Sequence, residues 1–212
     1  MYQKYVKRIL DIIISLIALP FFLISFIFVA PAIYLEDRGS IFYKAKRRGI
    51  NGTIFEMYKY RSMRENAPDL RNADNSTFNS SDDPRITKVG RFLRKTSIDE
   101  IPQIINILKG DMSIIGPRAS IPIDGIEWDD LNDMQKKRLT VRPGLTGYTA
   151  ALYRNSIPKE EKRKWDCYYV DHLSFSMDVK IFLLTIKTVL LRKNIYTNEQ
   201  QSSEELSKEG KA

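Results

Sequence analysis

The stretch KVGRFLRKTSIDEIPQIINILKGDMSIIGPR, from Lys88 to Arg118, decides how this chain is interpreted. Two adjacent carboxylates, Asp99 and Glu100, precede apolar residues at helical spacing, and Gly110 ends the predicted helix. Three cationic residues stand just upstream: Arg91, Arg94 and Lys95. Carboxylates among so many cations should stay ionised, and the cations need a further anion. A phosphorylated ligand meets both requirements.

The start of this helix has two interpretations. Ser97-Ile98-Asp99-Glu100 matches a capping box, a purely structural motif and the better interpretation for an arbitrary protein. If Asp99 is the cap instead, Pro102 falls in the first turn, where its missing N–H matters little. In both cases Asp99 lies at the positive end of a helix dipole, which keeps it anionic beside a phosphate-binding terminus. An ionised carboxylate can attack phosphorus and form an acyl phosphate.

Phosphoryl transfer needs positive charge around the non-bridging oxygens, usually from Arg, Lys and a divalent cation. The candidate phosphate-binding residues are Lys59, Arg61, Arg91, Arg94, Arg118, Arg142 and Arg154. Each could equally be a solvated surface charge. A single histidine and a single cysteine cannot form a His/Cys metal cluster. We therefore expect a hard, oxygen-liganded ion, Mg²⁺, with Asp99, Glu100 and Asp111 as the candidate ligands.

Composition narrows the classes of protein to consider. A chain of 212 residues with 43% hydrophobic residues can bury one core, and a net charge of +8 favours an anionic partner. The basic residues are interspersed with acidic ones instead of forming a stripe with aromatics, so we expect no nucleic-acid partner. The single Cys167 excludes an intramolecular disulfide and suits a reducing compartment. We expect Cys167 and His172 to be structural.

The uncharged run from Ile12 to Leu35 is long enough to cross a bilayer as a helix. Positive residues flank it on both sides, however, so both flanks favour the cytoplasmic face. The run also contains Pro20 and Pro31, and a proline inside a helix removes a hydrogen bond and favours a kink. From the residues alone, a helix that breaks and re-enters and a helix that spans are equally favoured.

The rest of the chain has the pattern of a small α/β (α+β) domain. Residues 40–63 form two β-rich pieces around a glycine-containing turn, which predicts a hairpin. Residues 66–85 predict a polar loop able to move over a site, and residues 127–140 predict a second helix. The amphipathic stretch Ile181–Leu191 is either ordinary core or a helix in the membrane interface.

Taken together, the motifs resemble those of the small bacterial monotopic phosphoglycosyl transferases, also called bacterial sugar transferases or priming glycosyl transferases. The resemblance covers Met1 to about Leu191. It rests on KRILD (Lys7–Asp11), GSIFYKAKRRG (Gly39–Gly49), MYKYRSM (Met57–Met63), DDPRITKVGRFLRKTSIDEIPQIINILKGDMSIIGPR (Asp82–Arg118), VRPGLTG (Val141–Gly147) and a late D-x-Y-Y-V…D-x-K-I pattern (Asp166–Ile181). So many blocks in one order are too specific for a chance match.

The resemblance implies an activity and a place in the cell. The implied reaction moves a sugar-1-phosphate from a UDP-sugar to undecaprenyl (polyprenyl) phosphate and releases UMP. It takes place on the cytoplasmic face of the bacterial membrane, as the priming step of a cell-surface glycan pathway such as exopolysaccharide biosynthesis. Asp99 is implied as the nucleophile that forms a covalent phosphosugar, and Mg²⁺ as a requirement. Glu100 is implied to assist, as a metal ligand or in handling the acceptor's proton.

The resemblance also implies a fold, and it decides in favour of membrane re-entry. The expected organisation is a re-entrant helix–break–helix over residues 1–38 and a cytosolic catalytic domain over residues 39–193. Amphipathic helices of that domain rest on the bilayer, and residues 194–212 form a polar, disordered tail.

Several positions depart from the family pattern. Neither Pro20 nor Pro31 follows a serine, and either could make the membrane bend. Ala119 replaces a proline, and the stretch Tyr148–Arg154 differs from the usual Trp-Ala-Gln-Val-Asn-Gly-Arg. Because the Asp-Glu pair is intact, these departures bear on substrate recognition more than on chemistry. We expect the substrate pocket to include Pro143, Gly144 and Tyr148.

Other functions remain as alternatives. A membrane phosphohydrolase could use the same aspartate, but no second carboxylate motif is placed to activate water. The main alternative is a catalytically idle, membrane-bound scaffold of a polysaccharide-assembly complex. The sequence leaves open the sugar, the glycan pathway, the polyprenol length and whether the chain forms a homo-oligomer.

Overall fold

A computed structural model describes residues 1–70, 78, 80, 83–153 and 156–191, and it mixes helices with two small sheets. The helices are α1 (Lys7–Asp37), α2 (Lys88–Thr96), α3 (Gln103–Lys109), α4 (Asp133–Arg138), α5 (Tyr148–Leu152), α6 (Lys159–Asp171) and α7 (Phe175–Leu190). The strands are β1 (Phe42–Arg48), β2 (Ile54–Tyr60), β3 (Ser113–Ile115) and β4 (Gly144–Thr146). The expected mixed fold is confirmed.

The apolar N-terminal run forms one long helix. A short π-helical turn, Tyr2–Val6, leads into α1, and together they are long and apolar enough to cross a membrane. The expected helix–break–helix is not seen, because α1 continues through both Pro20 and Pro31. Each proline removes a single backbone hydrogen bond, while the neighbouring turns keep theirs.

A buried polar network attaches the beginning of α1 to the globular part. Lys7 forms an ion pair with Asp178 of α7, with 2.7 Å between Nζ and Oδ2. Tyr169 of α6 donates a hydrogen bond to the same carboxylate at 2.7 Å. One turn later, Asp11 accepts a hydrogen bond from the Ser113 hydroxyl of β3 at 3.0 Å. Parts of the KRILD and D-x-K-I motifs thus act together to hold α1.

The middle of α1 packs on the first sheet through aromatic rings. The Phe22 ring of α1 stacks on Tyr60 of β2 with 6.2 Å between centroids, and Phe26 of α1 stacks on Phe42 of β1 at 5.7 Å. Ser25 shares a 2.9 Å hydrogen bond with the Tyr60 hydroxyl. The opposite face of α1 is exposed and apolar, and it includes Ile13, Ile17, Phe21, Ile24 and Phe28.

The predicted hairpin is confirmed. β1 and β2 pair antiparallel, with Phe42 opposite Tyr60 at one end and Arg48 opposite Ile54 at the other. The turn between them uses the left-handed conformation at Asn51, where φ is 53°. The hairpin brings Lys59 of β2 beside the turn that follows α2.

Asn106 of α3 holds that helix against β2. Its side chain is fully buried; it accepts a hydrogen bond from the Tyr58 amide at 2.9 Å and donates one to the Glu56 carbonyl at 2.7 Å. Asn106 was not among the residues predicted from the sequence. The sequence feature that could have identified it is a polar residue on the apolar face of an isoleucine-rich helix.

A second, parallel pair of short strands joins the Gly-Pro-Arg and Arg-Pro-Gly motifs. Ser113 of β3 pairs with Gly144 of β4, and Ile115 with Thr146. A Cβ on Gly144 would lie 2.1 Å from the Gly116 amide nitrogen, so the two backbones can approach only without a side chain there. The motif glycine Gly144 therefore serves close backbone packing.

The remaining predicted elements have corrected bounds. The helix expected over residues 127–140 covers only Asp133–Arg138, because an Asn132–Gln135 capping box starts it late. The amphipathic segment begins earlier, at Phe175, because the Ser174 side chain caps the Met177 amide. Much of the polar loop at 66–85 and the expected tail lie outside the described residues; in the described part of the loop, Asp83 and Arg85 form a buried ion pair at 2.7 Å.

Candidate active site

The Asp-Glu pair lies on a tight turn between α2 and α3. Ser97 ends α2 with a left-handed conformation at φ 61°, and a 3-10 turn, Ile98–Glu100, follows at once. Neither predicted cap is present: Ser97 makes no capping hydrogen bond to this turn, and α3 begins after Pro102. Pro102 precedes the first helical residue, where its missing N–H leaves no intrahelical bond unmade.

Asp99 is the more buried of the two carboxylates, with 9% of its surface exposed. The pKa of Asp99 is raised to about 6, chiefly by burial and in part by the neighbouring Glu100 charge, against the opposing effects of Lys59 and Arg94. Desolvation therefore outweighs the two cations in setting this pKa, although it does not neutralise the carboxylate at pH 7. Near neutral pH the carboxylate is mostly ionised but easily protonated.

Glu100 is held by the hairpin. Lys59 of β2 donates to Glu100 Oε1 at 2.7 Å, and both side chains are partly exposed. The position of Lys59 depends on the α3–β2 contact that Asn106 makes, because that contact fixes the hairpin beside the turn. The Lys59–Glu100 ion pair therefore gives Asp99 one cation and one anion as electrostatic neighbours.

Arg94, in the last turn of α2, supplies the second cation near Asp99. Its Nε donates to the Ser62 hydroxyl at 3.0 Å. Close backbone packing sets the position of α2 here: a Cβ on Gly90 would lie 1.9 Å from the Ser62 carbonyl oxygen. The short α2 thus directs Arg94 and the following turn toward one site.

The structure brings only part of the predicted cation set to this turn. Arg61 is not in it, since its guanidinium donates to Asp37, the Ser40 carbonyl and the Met63 carbonyl. Arg142 donates to the Gly110 carbonyl at 2.8 Å, beyond the other end of α3. The Arg91 and Arg118 side chains are exposed, and Arg154 lies outside the described residues.

The expected third metal ligand, Asp111, is not brought to the turn. It follows α3, where it accepts a hydrogen bond from Asn106 at 3.1 Å and lies 3.7 Å from the Lys109 ammonium. Within the described ranges, no group of three potential metal ligands is present. The Asp99–Glu100 pair still suits Mg²⁺ chemically, because this ion is often held by one or two carboxylates together with substrate phosphates.

The expected pocket residues lie elsewhere in the fold. Pro143 and Gly144 are buried in the backbone contact between β3 and β4. Tyr148 belongs to an aromatic cluster with α6: its ring stacks on Trp165 at 5.5 Å and contacts Tyr168 at 5.6 Å. The described contacts of Pro143, Gly144 and Tyr148 are therefore with elements other than the turn that carries Asp99.

His172 and Cys167 have local partners. The His172 ring stacks on Tyr168 at 4.1 Å, and its Nδ1 lies 2.9 Å from the Tyr168 carbonyl oxygen. The Cys167 thiol points toward the Met134 carbonyl at 3.5 Å. These contacts agree with the structural role expected for both residues.

The arrangement at the turn combines three chemical properties. Asp99 is a buried carboxylate with a pKa close to neutral, able to act as a nucleophile or to take up a proton. Lys59 and Arg94 can neutralise charge on a phosphate, and Glu100 offers a second, more exposed carboxylate. This combination fits phosphoryl transfer better than simple binding.

Comparison with known proteins agrees with this chemistry. Residues 2–192 match the profile of the bacterial sugar transferase family. The chain is 44% identical to galactosyl transferase CpsE of Streptococcus agalactiae over 87% of this chain and 42% of CpsE. It is 34% identical to an uncharacterized sugar transferase, EpsL of Bacillus subtilis, over 96% of both chains.

A third relative carries a more explicit name. The UDP-glucose:undecaprenyl-phosphate glucose-1-phosphate transferase of Xanthomonas campestris pv. campestris is 32% identical over 92% of this chain and 41% of its own length. The chain thus spans about two-fifths of CpsE and of the Xanthomonas protein, and nearly all of EpsL. With a family match over nearly its whole length, this chain belongs to the bacterial sugar transferase family.

Proposed function

We propose that this protein transfers a sugar-1-phosphate from a UDP-sugar to undecaprenyl phosphate and releases UMP, as the priming step of a cell-surface glycan pathway. The observation that carries the proposal is the buried Asp99 on its turn, flanked by Lys59, Arg94 and Glu100, in a chain of this family. The name of its Xanthomonas relative supports a UDP-sugar as donor and undecaprenyl phosphate as acceptor.

In the first step, an Asp99 carboxylate oxygen attacks the phosphorus that carries the sugar. A bond forms between that oxygen and phosphorus, and the bond from phosphorus to the bridging diphosphate oxygen breaks. UMP leaves with the bridging oxygen and the electron pair. The sugar-1-phosphate remains on Asp99 as an acyl phosphate.

In the second step, an oxygen of undecaprenyl phosphate attacks the same phosphorus. The bond between phosphorus and the Asp99 oxygen breaks, which regenerates the carboxylate and gives undecaprenyl-diphosphate-sugar. Lys59 and Arg94 stabilise the negative charge on the phosphoryl oxygens in both steps. Glu100 takes the acceptor's proton or serves with Asp99 as a metal ligand. Mg²⁺, when bound, would neutralise charge on the diphosphate.

We further propose that the protein lies on the cytoplasmic face of the membrane and does not cross it. Both ends of α1 bond to the same globular part: Lys7 to Asp178, and Glu36 to the Lys88 amide. A helix that crossed a bilayer would have its ends in different compartments. The exposed apolar faces of α1 and α7 supply the surface that the lipid would cover.

The direct test is UMP release by the full chain in nanodiscs with Mg²⁺, undecaprenyl phosphate and a panel of UDP-sugars. We expect lipid-dependent release from one donor, its loss in Asp99→Asn, and its loss on chelation of the metal. Release without the acceptor at the same rate would indicate a phosphohydrolase. No release from any donor, with glycan production unchanged by Asp99→Ala in cells, would indicate the scaffold alternative.

A further inference from the structure

The last turn of α1 makes contacts that the proposed chemistry does not use. Glu36, at the surface, accepts hydrogen bonds from two successive backbone amides of α2: Lys88 N at 2.6 Å and Val89 N at 3.0 Å. The next residue, Asp37, forms an ion pair with Arg61, whose guanidinium is buried. Two adjacent carboxylates of one helix thus hold two different segments of the globular part.

The Glu36 contact completes the N-terminus of α2. The Thr87 side chain accepts from the Gly90 amide at 2.9 Å, so Thr87 and Glu36 together satisfy the first three amides of the helix. α2 itself carries no acidic residue in its first turn, although its last turn carries Arg94 and Lys95. The carboxylate that complements the positive end of this helix therefore comes from α1.

Both held segments lead directly to the candidate active site. α2 is only nine residues long and continues through Ser97 into the turn that carries Asp99. Arg61 follows β2 immediately, two residues after Lys59. A displacement of either segment would therefore change the distances between Asp99 and the cations beside it.

We propose that Glu36 is a positioning residue: by binding the N-terminus of α2, it fixes the Asp99 turn relative to the membrane helix, while Asp37 fixes the Lys59 strand through Arg61. This inference rests on the proposed transferase function for its effect on rate. Glu36 touches no reacting atom in either step of the proposed transfer. It transmits the position of α1 to the turn through the rigid helix between them.

The test compares Glu36→Gln with Asp133→Asn, which also replaces a carboxylate by an amide at an exposed helix start, in α4. In the full chain in nanodiscs, we expect Glu36→Gln to lower kcat about 10- to 100-fold, since small misplacements of reacting groups have effects of this order. KM for the UDP-sugar should change little. Asp133→Asn should behave as the wild type.

Amide hydrogen exchange gives a readout that needs no activity. Glu36→Gln should speed exchange at residues 88–91 and also at residues 97–101, while Asp133→Asn leaves both unchanged. A double variant, Glu36→Gln with Lys88→Glu, puts a carboxylate on α2 itself; it should restore protection at 88–91 without restoring kcat, because it does not reconnect α2 to α1.

The outcomes separate the two proposals. Wild-type kcat in Glu36→Gln, unchanged exchange at 97–101, or full recovery of kcat in the double variant would overturn the positioning role. Absence of transfer by the wild type would instead overturn the proposed function, and the exchange at 97–101 would then decide this inference alone.

Discussion

Asp99 combines burial with a titration range that overlaps physiological pH. Burial raises its pKa to about 6, so the nucleophilic form is lost as the pH falls through that value. We predict that kcat/KM for transfer falls as the pH is lowered, with an apparent pKa near 6 for the free enzyme. The measurement is kcat/KM against pH with a saturating lipid acceptor. An acid limb near pH 4 would contradict the buried position of Asp99.

The same pKa shift predicts an effect on stability. The pKa of Asp99 in the folded protein lies above its ordinary value of 3.8. Its contribution to the free energy of unfolding is therefore most favourable below about pH 4, and this contribution is lost as the pH rises through about 6. Asp99→Asn removes the buried charge and should therefore stabilise the protein at pH 7.5, by about 1–3 kcal/mol. Thermal melting at pH 7.5 and pH 4.5 tests this. The difference should shrink at pH 4.5, and a destabilised variant at pH 7.5 would contradict the argument.

At the scale of elements, the buried side chain of Asn106 links α3 to β2 by two hydrogen bonds. Replacing Asn106 with Leu would leave the Tyr58 amide and the Glu56 carbonyl without their side-chain partner. We predict a loss of stability of about 2–5 kcal/mol, as for other buried polar groups deprived of a partner. Transfer should fall with it, because Lys59 would no longer be held at Glu100. Melting temperature and rate measured together test this, and an unchanged melting temperature would contradict it.

Sequence patterns predicted the elements better than their junctions. Alternation and turn residues identified the hairpin, and isoleucine spacing identified α3, because both signals are local. The 3-10 turn at Ile98–Glu100 was missed, since Ser97 and Glu100 match a capping box equally well. The pairing of Arg61 with Asp37 could not be predicted, because it joins residues 24 positions apart that only the packing of α1 brings together.

At the scale of the whole molecule, the contacts at both ends of α1 predict its topology. Cysteines introduced separately by Gln3→Cys and Arg38→Cys, each with Cys167→Ser, should both be unreactive to an impermeant maleimide outside intact cells. Both should react in inverted membrane vesicles. Labelling of either position from outside would indicate a crossing helix and contradict the proposed placement.

The central claim is that Asp99 carries the sugar phosphate between donor and acceptor, and the mass of the intact protein tests it most directly. Wild-type protein would be mixed with Mg²⁺ and its UDP-sugar donor in the absence of undecaprenyl phosphate. We predict a mass increase equal to one sugar phosphate less one water, located on the peptide containing Asp99, absent in Asp99→Asn, and removed when the lipid acceptor is added. UMP release with no such adduct, or an adduct that persists in Asp99→Asn, would contradict the account.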